Sequence, residues 1–100
     1  MLQLKDYNGD ISKLCEEHKV KSLYAFGSVL TDNFNEKSDI YLIVDFEKLD
    51  VLDYVDNYYD LKFSLEKILK RPIDLLEDKA IKNPYFRTSI IKERQLLYGQ

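Results

Sequence analysis

The chain has 100 residues, 45% of them hydrophobic and 33% charged, a globular composition that excludes an intrinsically disordered chain. Its net charge of −3 argues against a general nucleic-acid coat protein, and no run approaches the roughly 18 apolar residues of a membrane span. One cysteine, Cys15, and one histidine, His18, allow neither an internal disulfide nor a Cys/His zinc cluster, so a reducing compartment, the cytoplasm, is the expected setting.

The length predicts one domain over residues 1–100, and no repeat or low-complexity tract divides it. The start meets an acid at Asp6, too early for a signal peptide. Asp10 is placed to cap a first helix running to about Lys19, with Ile11, Leu14 and Cys15 on one face. A short buried strand is expected from Ser22 to Phe26, ended by Gly27-Ser28, and Thr31 to Ser38 reads as a polar loop with a helical turn at its start. The run from Asp39 to Phe46 (DIYLIVDF) is the clearest strand signal, rich in β-branched and aromatic residues.

A long helix follows from about Asp50 to Leu69. Tyr54, Tyr58, Leu61, Leu65 and Ile68 recur at steps of four and three and make one apolar stripe. Leu52, Tyr59 and Phe63 make a second stripe, although one core needs only one. Pro72 to Leu76 (PIDLL) reads as a third strand, with proline tolerated at its first position. Asn83-Pro84 opens a last helix, expected to run to about Tyr98 and to stop at Gly99. The fold class is therefore α/β, a small sheet of three or more strands flanked by helices. The long connection between the second and third strands permits a parallel pair there.

Three features carry chemistry. Glycine lets backbone turn tightly or approach a ligand closely, and the hydroxyl and exposed N–H groups of a Gly27-Ser28 turn suit phosphate oxygens. Asp39 opens the second strand. Asp74 lies between Ile73 and Leu75, where alternation turns it away from the apolar face.

Taken together, Gly27-Ser28, a spacer of ten residues ending in Ser38, then Asp39-Ile40-Tyr41 and the later Asp74 resemble the signature of the nucleotidyltransferase superfamily that includes DNA polymerase beta. The approach Leu23 to Ser28 and the Pro72 to Leu76 segment are similar to its minimal branch, the MNT proteins, from about Val20 to Gly99. The resemblance implies a nucleotidyltransferase fold and Mg²⁺-dependent transfer of a nucleotidyl group from ATP or another NTP to a hydroxyl. By the same resemblance, Gly27 and Ser28 hold the triphosphate, while Asp39 and Asp74 are catalytic residues and metal ligands. The branch often partners HEPN proteins in toxin–antitoxin pairs, where the acceptor can be a tyrosine of the partner. A chain this short has no room for a nucleic-acid template domain.

The sequence departs from that signature at one position. The second carboxylate of Asp-x-Asp is replaced by Tyr41, a bulky neutral phenol and a poor Mg²⁺ ligand. Two carboxylates in place of three predict catalysis that is severely weakened or absent. Asp45 shares the strand face but lies too far along to substitute. Thr31 and Asp32 stand where many relatives carry Arg-Gly, and Lys37 could supply charge. The alternative function is a non-catalytic antitoxin-like module that neutralises a partner through its surface. The stripe of Leu52, Tyr59 and Phe63 is the candidate partner or homodimer face, and the acidic run from Asp45 to Asp60 would complement a basic partner.

Overall fold

The computed structural model describes residues 3–31, 34–35 and 37–99. Its helices are α1 (Asn8–Glu17), α2 (Val51–Leu69) and α3 (Pro84–Glu93), and its strands are β1 (Val20–Phe26), β2 (Ile40–Phe46), β3 (Ile73–Glu77) and β4 (Gln95–Tyr98). The strands form one mixed sheet in the order β3-β2-β1-β4. β1 runs antiparallel to β2 and β4, whereas β2 runs parallel to β3, with α2 as the long crossover that such a pair requires.

Alternation puts Leu23 and Ala25 of β1, Ile40, Leu42 and Val44 of β2, and Ile73 and Leu75 of β3 on one sheet face. They are packed in one core with Ile11 and Cys15 of α1 and with Leu61, Leu65 and Leu69 of α2. Burial pushes the Cys15 thiol up to about 12, with Glu16 adding to it, so this cysteine behaves as a core residue. His18 is also buried and joins the two helices. Its Nδ1 lies 2.7 Å from the Leu14 carbonyl and its Nε2 lies 2.6 Å from Asp60, while Asn57 donates to the His18 carbonyl at 2.7 Å.

Two sequence expectations need correction. Asp10 does not cap α1: Tyr7 holds the capping position without a side-chain bond, because a 3-10 turn, Leu4–Tyr7, already brings the chain into helical geometry. Asp10 falls instead in the first turn, where an acid faces the positive end of the helix dipole. The second correction is at the C-terminal end. The last helix starts as expected, with the Asn83 side chain accepting from the Tyr85 and Phe86 amides at 2.9 and 3.1 Å, but it ends at Glu93.

Gln95–Tyr98 then pairs with β1, because that strand otherwise presents an open edge of unpaired amides and carbonyls. Gly99 is thus no helix stop. Its φ of +94° and the 2.3 Å that would separate an added Cβ from the Lys21 carbonyl show that glycine lets the end of β4 lie against the start of β1. The helical turn expected at the start of the polar loop is a 3-10 turn, Gly27–Leu30, lying just before it; Asp32, within that loop, lies outside the described residues.

The two faces of α2 differ sharply: Leu65 is fully buried, while Leu52 is 91% exposed. Leu65→Ala is expected to cost about 2–5 kcal/mol in urea unfolding, and Leu52→Ala to stay within about 0.5 kcal/mol of the parent.

Candidate nucleotidyl-transfer site

The sheet face turned away from the core carries the candidate site. Ala25, Leu42 and Leu75 point into the core, so their neighbours Phe26, Tyr41 and Asp74 point the other way. The register aligns these three across the sheet, with Tyr41 opposite Phe26 on one side and opposite Asp74 on the other. Gly27 follows Phe26 directly at φ +85°, a left-handed geometry that favours glycine, and bends the chain into the 3-10 turn. That turn is closed by the Ser28 carbonyl, which accepts from both the amide and the hydroxyl of Thr31 at 2.9 Å.

Asp39 lies one residue before β2 and two from Tyr41, and both Asp39 and Asp74 are exposed. The predicted residues Gly27, Ser28, Asp39 and Asp74 are thus gathered at one end of one sheet face, with Tyr41 among them. The Tyr41 ring packs on Phe26 with centroids 5.6 Å apart, and its Cδ2 lies 3.5 Å from where a Gly27 Cβ would stand. The phenol therefore sits beside the Gly-Ser turn. Asp45 is at the far end of β2, where Lys79 Nζ is 3.5 Å from its Oδ1. There it lines a cleft of about 680 Å³ with Lys21, Tyr24 and Arg94, well away from the turn.

The donor set does not match a two-ion centre. Among the described residues no group of three or more His, Cys, Asp or Glu side chains could hold a metal ion. Asp39 and Asp74 are two carboxylates where the signature has three, and the third place is filled by an aromatic ring packed on another ring.

Sequence reasoning missed two supporting groups. Arg71 Nη2 donates to the carbonyls of Asn35 at 2.6 Å and Ser38 at 2.5 Å, and the guanidinium lies 4.5 Å from the Phe34 ring centroid. It fixes the segment that delivers Asp39. The available signal was an arginine next to Pro72, three positions ahead of Asp74. The second group guards the free edge of β3. Glu66 accepts from the Ile73 amide at 2.9 Å, the Tyr58 hydroxyl donates to the Leu75 carbonyl, and the Tyr54 hydroxyl donates to Glu77. Burial first, then Tyr59, Asp74 and Glu77, raise the Tyr58 phenol above its ordinary range, so the charge of Asp74 reaches the α2 side of this edge.

Residues 9–100 match the family described as "Polymerase beta, Nucleotidyltransferase". Two proteins of Methanocaldococcus jannaschii, "Putative protein adenylyltransferase MJ1379" and "Putative protein adenylyltransferase MJ0128", are 39% and 40% identical to it over 85 residues, which is 85% of this chain and 82% of each relative. A solved structure named "Structure of putative minimal nucleotidyltransferase" superposes with a TM-score of 0.76 at 27% identity, covering 92% of this chain and 90% of that one. A tri-AMPylated Shewanella oneidensis HEPN toxin in complex with MNT antitoxin matches at 20% identity and TM-score 0.64, covering 98% of this chain and 74% of that one, a likeness of fold.

The fold and the matched span define a polymerase beta-type nucleotidyltransferase domain. Within that class the chain belongs to the minimal nucleotidyltransferases, the branch of its protein-adenylyltransferase-like relatives.

Arg71→Ala is expected to lower stability by about 1–2 kcal/mol. It should also speed hydrogen exchange at the Ser38 amide, now bonded to the Asn35 carbonyl at 3.0 Å. An unchanged Ser38 rate would show that Arg71 does not hold this segment.

Proposed function

We propose that this chain binds ATP or a related NTP at the Gly27-Ser28 turn and works with a protein partner of the HEPN type. We further propose that its capacity to move a nucleotidyl group to a hydroxyl of that partner is curbed by Tyr41. The observation that carries the reading is the position of Tyr41, in register with Asp74 and against Gly27. The turn and both outer carboxylates are kept, and an aromatic ring stands between them.

The chain's own groups suit the parts of such a transfer unequally. The Ser28 hydroxyl and the amides of the 3-10 turn are donors for phosphate oxygens. Asp74, exposed on its edge strand, is a base for the proton of an acceptor hydroxyl. Asp39 and Asp74 are the carboxylates left for Mg²⁺. Two exposed carboxylates do not provide the three-carboxylate centre, so no transfer step is assigned through metal. Support for the nucleotide comes from a neighbour of like fold solved as a toxin–antitoxin "with AMP-PNP", and support for the partner from the complex of MNT antitoxin with HEPN toxin. A second reading, a non-catalytic antitoxin-like module, is favoured by the same Tyr41 and by the exposed apolar residues of α2. That no described helix is long and apolar enough to cross a membrane is compatible with both.

Calorimetric titration of ATP, with and without Mg²⁺, separates the readings when run on this chain and on Tyr41→Asp. The substitution is expected to bring Mg²⁺-dependent ATP binding at least 10-fold tighter than that of the parent. Equal binding by the two would show that Tyr41 is no obstacle. Binding by neither would remove the nucleotide from the reading and leave the partner-binding module.

A further inference from the structure

α2 has more apolar surface than the core uses. Leu61, Leu65 and Leu69 are buried on its inner side, while Leu52, Val55, Tyr59 and Phe63 on the outer side are 91%, 56%, 48% and 59% exposed. Their spacing of three, four and four residues makes one continuous row about 16 Å long at 1.5 Å per residue. Beside the row, a groove of about 450 Å³ between α2 and β3 is lined by Tyr54, Val55, Tyr58, Tyr59, Leu75 and Leu76. The rings of Tyr54, Tyr58, Tyr59 and Phe63 follow one another at centroid distances of 6.4, 5.0 and 5.9 Å, so Tyr59 and Phe63 of the row are backed by the tyrosines that line the groove. On the free edge of β3 the Ile73 amide donates to Glu66 and the Leu75 carbonyl accepts from Tyr58, which disfavours an added strand there and favours a helix.

Charge decides which helix. One flank of the row is acidic: Asp53, Asp56 and Asp60 line a shallow cleft with Asn57 and Lys19. Asp60 is engaged by His18, and among the described residues Asp53 and Asp56 form no ion pair. An antiparallel pairing of two copies of α2 about the middle of this row brings like flanks together and sets Asp53, Asp56 and Asp60 against themselves, a repulsive arrangement.

We propose that the outer face of α2, with the adjoining groove, docks an amphipathic helix of a partner protein whose apolar row is flanked by lysine or arginine. The row lies on α2 and the groove borders β3, while the Gly27-Ser28 turn follows β1, two strands in from that edge. The proposal does not depend on whether that turn binds ATP.

The test is fluorescence anisotropy with the full chain and a labelled synthetic helical peptide carrying Leu at i, i+3, i+4 and i+7 and Lys elsewhere. The same peptide with Glu for Lys is the control. The Lys peptide is expected to bind at least 10-fold tighter than the Glu peptide. Leu52→Ser/Phe63→Ser should weaken it at least 10-fold, and Asp53→Asn/Asp56→Asn at least 3-fold, with circular dichroism unchanged because all four positions are exposed. Undiminished binding by Leu52→Ser/Phe63→Ser would reduce the effect to general attraction between charges and overturn the proposal. So would absence of binding, or a dimer in sedimentation of the chain alone that Phe63→Ser dissociates, since the occupant would then be a second copy.

Discussion

The parallel pairing of β2 with β3 sets Ile40 opposite Ile73, Leu42 opposite Leu75 and, between them, Tyr41 opposite Asp74. Alternation then leaves no freedom. If the first two pairs face the helices, the third faces away, and a slip of β3 by one residue would bury Asp74 and expose Ile73 and Leu75. The core and the candidate site are therefore two sides of one register. Burial of the aliphatic pairs, at roughly 1.5–3 kcal/mol for each fully buried side chain, holds Asp74 in an exposed position that no local interaction of its own requires. The crossover helix enforces the same register from the edge, since Glu66 and Tyr58 bond to Ile73 and Leu75, the neighbours of Asp74.

Legibility in the sequence followed the strength of the local signal. The β2 run, with three consecutive buried residues, Leu42, Ile43 and Val44, at its centre, reads as a strand because no charged residue interrupts it before Asp45. The α2 boundaries and the double apolar stripe were equally plain, because nineteen residues give several helical turns over which a period can be seen. Gln95–Tyr98 was misread for the opposite reason. Four residues fit a helix end as well as a strand, and what settles the matter is the vacant edge of β1, about 70 positions earlier in the chain. The Asp10 cap failed because the upstream 3-10 turn has no comparable sequence mark. At the site, Gly27, Ser28, Asp39 and Asp74 were legible as a motif. Arg71 was not, because its partners are carbonyls, which carry no side-chain signature.

Tyr41 shows how one position trades charge chemistry for packing. A third carboxylate between Asp39 and Asp74 would gather negative charge at one end of the sheet, tolerable when cations are bound and repulsive otherwise. The phenol removes that repulsion and gains a tilted contact with Phe26, and such aromatic pairs are worth about 0.5–1.5 kcal/mol beyond area burial. Phe86 extends the cluster, with its ring 6.1 Å from Phe26 at 70°. The end of the sheet that the signature reserves for ions and phosphates thus holds a small aromatic patch.

The division of labour between the two sides of the sheet follows from the same economy. The core is sealed by α1 and α2 on one face of the sheet, and α2, buried along its inner side, keeps an exposed apolar row on its outer side. A helix whose outer row were polar would fold as well, since the core needs only Leu61, Leu65 and Leu69. Four exposed apolar residues, two of them stacked ring on ring and the row bordered by acids on one flank, are thus an expense in solubility that folding does not explain.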